Sequence, residues 1–173
     1  MSELGPASAE DANREFDANE TFPREALDVV RAFVDAVVWG EHLCVWQLFS
    51  PEAREHVLHA ASRKGLDAVA AERARQETWD QGEANTFLTS LLHGLRVDLS
   101  GVDLEHIVIS EQPVPMVDGS LRFDLENPSN LPSGLTGGAN WAAGAVVVEL
   151  IAEPTPAWRV KRLVPRPATR AAK

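Results

Sequence analysis

The chain has 173 residues, 45% of them hydrophobic, and its 26 acidic against 16 basic side chains give a formal net charge of −10. That apolar share excludes a wholly disordered chain, and no apolar run approaches the roughly 20 residues of a membrane-spanning helix. A lone Cys44 excludes an internal disulfide, and the opening MSELGPASAEDANREF has neither the basic start nor the apolar stretch of a signal peptide, so one cytoplasmic domain is expected.

Residues 1–21 hold Glu3, Glu10, Asp11, Glu15, Asp17 and Glu20 against Arg14 and have few large apolar side chains, which predicts an acidic disordered tail. From Arg24 to Trp39, Leu27, Val30, Phe33, Val34, Val37 and Val38 recur at spacings of three and four, the pattern of an amphipathic helix closed by Gly40. A second helix begins near Glu41 and restarts at Ser50-Pro51-Glu52, where serine is a favoured N-cap and proline fits the first helical position. It is expected to end near His59. A charged, alanine-rich helix follows over Leu66 to about Trp79, and another from Glu83 to His93, with Gly94 as the expected stop.

Beyond Gly94 the period changes to two. Residues 104–109 and 121–126 alternate as strands, and Asp118-Gly119 between them is a strong hairpin signal. Residues 127–140, with three glycines and two prolines, read as a loop. A long strand over Trp141–Ala152 and a last alternating run, Ala157–Val164, complete an antiparallel sheet of four or more strands. Helices first and strands afterwards is an α+β order. From Arg159 onward the chain carries six bases and no acid, and residues 167–173 read as a basic C-terminal tail. A solvated tail is expected, and nucleic acid is an unlikely partner because the chain as a whole is anionic.

A long first helix, a second entered through VWQLFSPEAREHV, and a final strand WRVKRLV together resemble the NTF2-like (SnoaL-like) superfamily over residues 22–166. The resemblance implies a curved antiparallel sheet wrapped around the long helix, a cone-shaped cavity at its open end, and homodimers through the sheet. Cavity-wall candidates are then Phe33, Val37, Trp39, Trp46, Phe87 and Trp141. Fold alone does not name a function, because this one hosts isomerases, dehydratases, cyclases and bare binding modules.

Acid–base chemistry in such a cone needs a carboxylate or imidazole with a donor opposite. The chain has no tyrosine, which removes the tyrosine-based oxyanion site of ketosteroid isomerases. The remaining candidates are Asp124, Glu149, His106 and His93, with Glu149 the sharpest oddity inside the apolar run VVVELI. Glu52, Glu55, His56 and His59 share helical spacing but form no second ligand cluster, so no metal is expected. Cys44, amid Leu43, Val45 and Trp46, reads as a small buried hydrophobe. No GxxxxGK[ST], GxGxxG or GxSxG run is present, and no cofactor is expected. The favoured expectation is a non-catalytic module that binds a protein partner or a small apolar ligand. The alternative is a small-molecule isomerase, dehydratase or cyclase using an Asp or Glu with a His.

Overall fold

The computed structural model describes the backbone of residues 9–99, 103–127, 141–152 and 154–165, and the side chains of these except 9–22 and 141–143. Among the described residues the fold is α+β, with five helices preceding a five-stranded antiparallel sheet that does not close on itself. No described helix is long and apolar enough to cross a membrane.

Helix α1 spans Ala9–Trp39, so it begins well before Arg24 and takes in part of the segment read as a disordered tail. Once the buried part of a helix has met the nucleation cost, each added residue gains a backbone hydrogen bond, and a polar segment can be drawn into the helix. Its apolar stripe, Val30, Phe33, Val37 and their neighbours, is fully buried. Gly40, with φ of +80°, ends it, and Glu41 N–H donates to the Ala36 carbonyl at 2.8 Å, the six-to-one bond of a left-handed C-terminal cap. Helix α2, His42–Leu48, leads through Phe49 to α3, Pro51–Arg63. Ser50 is the expected N-cap: its Oγ accepts from Ala53 N–H, while its own N–H donates to Val160 and ties the junction to the sheet.

Helix α4 covers Ala68–Arg75, shorter than the predicted Leu66–Trp79 because Asp67 caps its start and Glu77, at φ +53°, breaks its end. Helix α5 covers Gln81–Asp98 and passes straight through Gly94. Leu92, Leu95 and Leu99 continue the buried stripe, and that burial outweighs the roughly 1 kcal/mol a mid-helix glycine costs. The predicted stop at His93 is therefore corrected.

In the sheet, β1 (Val108–Ile109) and β2 (Val114–Pro115) each pair with one end of β3 (Leu121–Asn127), which continues to β4 (Trp141–Ile151) and β5 (Ala157–Pro165). The expected strand over 104–109 is only two residues long, because 104–106 form a turn. The hairpin at Asp118-Gly119 stands as predicted: Met116 and Ser120 close it, and Gly119 adopts φ +81°. The predicted loop 127–140 lies outside the described residues except for Asn127, which ends β3, and the 167–173 tail also lies outside them.

Phe123 and Leu125 of β3, Val146 and Val148 of β4, and Trp158 and Val160 of β5 face α1 and form one core with the helices. Arg122, Asp124, Val147 and Glu149 alternate onto the outer face. One extra residue in β5, opposite the Val147/Val148 step, forms a bulge that brings Lys161 beside Glu149.

Candidate functional site

Among the described residues, several of the expected cavity-wall side chains belong to the packed core. Phe33, Val37 and Trp46 are buried in the core, while Trp39 is 79% exposed at the end of α1. Phe87 lines a groove in the helical layer, and the Trp141 side chain lies outside the described set. The reason is packing. The apolar stripe of α1 packs directly on the inner face of β3–β5, and the two share one core.

A groove of about 1000 Å³ lies in the helical layer, bounded by α3, α4 and α5. Local sequence chemistry builds it. Asp67 Oδ1 accepts from Val69 and Ala70 N–H, both at 2.9 Å, and fixes the start of α4. Asp80 and Glu83 form a reciprocal capping box at the start of α5. Arg73 of α4 pairs with Glu83 of α5 and joins the two walls. Trp79 and Phe87 line the groove and pack on Trp46: the three rings lie 5.6 Å apart pairwise, and the Arg54 guanidinium sits 5.2 Å from the Trp46 ring.

The α5 wall presents Gly82, Thr86, Ser90, Gly94 and Asp98, each one helical turn from the next. Opposite stand Ala60, Ala61, Ala70 and Ala74. The spacing-of-four run Gly82, Thr86, Ser90, Gly94 is the sequence signal for this groove, and it becomes one continuous wall only because α5 continues to Asp98. Apart from its chain neighbours and the adjoining backbone of its own helix, no described heavy atom lies within 4 Å of where a Cβ on Gly94 would sit. Gly94→Ala is therefore expected to raise stability by about 0.5–1 kcal/mol through helix propensity alone, seen as a higher urea midpoint with an unchanged slope.

The four acid–base candidates do not gather. His93 is exposed on α5, and His106 is exposed with its Nδ1 3.1 Å from Asp103. Asp124 is held by Arg122 at 2.8 Å on the outer sheet face. Glu149 shares that face, but four residues of β4 separate it from Ala145, the partner of Asp124, or about 13 Å along the strand. Its side chain is 18% exposed, and its carboxylate meets Lys161 Nζ at 3.1 Å. Among the described residues no group of three or more His, Cys, Asp or Glu is placed to hold a metal, and Glu55 of the α3 histidine patch pairs with Arg75 at 2.7 Å. Cys44 is half-buried against the core.

Lys161 also binds Asp118 at 3.1 Å and so joins the β2–β3 turn to the sheet. Hydrogen bonds from the Ser120 hydroxyl and backbone N–H, then from Lys161, hold the Asp118 carboxyl well below its ordinary range. A carboxylate whose pKa is depressed by folding stabilises above its unfolded value of about 3.9 and loses that contribution as the pH falls toward the folded one. Asp118→Asn is thus expected to flatten the fall of melting temperature below about pH 4, measured as melting curves across the acid range. A melting profile as steep as the parent's would show that Asp118 is not part of the acid response.

No protein-family model matches the chain, and neither does a curated protein or a solved structure. The functional reading is carried by the geometry.

Proposed function

We propose that this chain is a non-catalytic binding module of the NTF2-like kind that holds an apolar ligand, either a small molecule or an apolar segment of a protein partner, in the groove between α3, α4 and α5. The observation that carries the reading is the groove itself: about 1000 Å³, walled mainly by alanines, leucines and two aromatic rings. Ligand sites are typically concave, mostly apolar and of this order of size. The alternative, an isomerase, dehydratase or cyclase, requires an acid–base pair within hydrogen-bond reach in one pocket. Asp124 and Glu149 instead lie apart on the outer sheet face, each with a basic partner, and both histidines are on exposed surfaces.

The test is titration with an uncharged naphthylamine fluorophore, following probe emission and energy transfer from the tryptophans, of which Trp79 lines the groove. Saturable binding is expected. Ser90→Phe, which places a ring in the groove, is expected to abolish it while leaving the circular dichroism spectrum intact. No binding, or binding indifferent to a well-folded Ser90→Phe, would defeat the reading.

A further inference from the structure

The shape and charge of the groove narrow what it takes. The five α5 positions from Gly82 to Asp98 span about 24 Å at 1.5 Å per residue, and none of them before Asp98 is larger than threonine; Glu83, Phe87, Leu91 and Leu95 line the groove beside them. Small residues on both walls permit the close backbone approach at which helices pack, about 8–10 Å between axes. Gly94 gives up helix propensity at a point where nothing in the described chain needs the space. A compact ligand is normally enclosed over most of its surface, whereas this channel is long and open on one side.

The charge is one-sided. Asp67, Asp80, Glu83 and Asp98 line the groove against a single Lys64. Arg73 offsets Glu83, but Asp98 has no partner among the described residues and sits in the last turn of α5, where the helix dipole disfavours an anion. A cation brought to that end relieves both conditions.

We propose that the occupant is an amphipathic helix of a protein partner, laid along α5 with its apolar stripe in the groove and lysine or arginine on its flanks. This rests on the groove reading above and adds the class of partner. Length selects the helix, and charge complementarity selects its sign.

The experiment uses the full chain and two labelled synthetic peptides of about 16 residues, enough to span the groove as helix. Both carry leucines at spacings of three and four; one has lysine flanks and the other glutamate flanks. Fluorescence anisotropy at low salt is expected to show the lysine peptide binding at least about tenfold more tightly, with the gap shrinking in about 0.5 M salt. Asp98→Lys should narrow the gap severalfold, and Gly94→Phe should abolish binding of the lysine peptide. Should Gly94→Phe fail to fold, Ser90→Phe serves in its place. Equal or reversed affinities of the two peptides would overturn the proposal. If neither peptide binds while the neutral fluorophore still does, the helix proposal fails and the groove reading stands; loss of all three defeats both. A full-length variant carrying Arg166→Gln, Arg170→Gln and Lys173→Gln should bind the lysine peptide unchanged. A tenfold gain there would mean that the chain's own basic end competes for the groove, and would overturn a partner in trans.

Discussion

Replacing Trp46 by alanine is expected to remove about 3–5 kcal/mol of stability, the usual cost of truncating a buried tryptophan. The side chain is 1% exposed, packs against Trp79 and Phe87, and lies beneath the Arg54 guanidinium, whose Nε also donates to the Trp46 carbonyl at 3.0 Å. Against a total of about 5–15 kcal/mol this is a large fraction. A chain of this size should melt roughly 10 °C lower, visible by circular dichroism, and fluorophore binding should fall because the aromatic end of the groove loses its support. Trp46→Phe is a useful partner to this variant. It keeps most of the packing and removes an indole N–H that is buried with no acceptor among the described residues, so a loss below about 1.5 kcal/mol is expected. If alanine and phenylalanine cost the same, the ring cluster is not what holds α2 to α5.

Arg96→Ala is expected to cost about 1.5–3 kcal/mol, toward the lower end because the side chain is exposed. Its Nε and Nη2 donate to the Val37 carbonyl at 3.0 and 2.9 Å, and Nη2 also reaches the Val38 carbonyl at 2.9 Å. These are carbonyls that the end of α1 leaves without helical partners, and the positive charge complements the dipole there. The same contact fastens α5 across the end of α1, where a Cβ on Gly40 would lie 3.5 Å from Nη2. Lysine, with a point charge in place of a planar fork, should recover less than half of the loss. Urea unfolding of the two variants beside the parent checks this; full recovery by lysine would mean that charge alone, and not the fork, caps the helix.

Several elements were legible because their causes are local. Ser50-Pro51 starts α3, Gly40 ends α1 and Asp118-Gly119 turns the β2–β3 hairpin, each through backbone angles or caps set within a few residues. Where local and distant forces compete, the local reading fails. Gly94 signals a stop, yet burial of Leu95 and Leu99 carries α5 past it. Residues 104–109 alternate like a strand, yet turn before they pair. The site was the least legible part. Its walls come from three helices with their own caps, and Trp46 on α2 meets Trp79, 33 positions on in the α4–α5 connection, only in the tertiary fold.

By itself the sequence determined the α+β order, the apolar stripe of α1, the antiparallel strands and their alternation, because periodicity and turn chemistry act over one or two turns of chain. Only the tertiary structure decided that Phe33, Val37 and Trp46 are buried in the core, that Asp124 and Glu149 face outward beside Arg122 and Lys161, and that an open groove lies in the helical layer. The physical reason is that inward and outward are properties of packing between elements, and a one-residue bulge or one further helical turn moves a side chain from one face to the other without altering the local pattern.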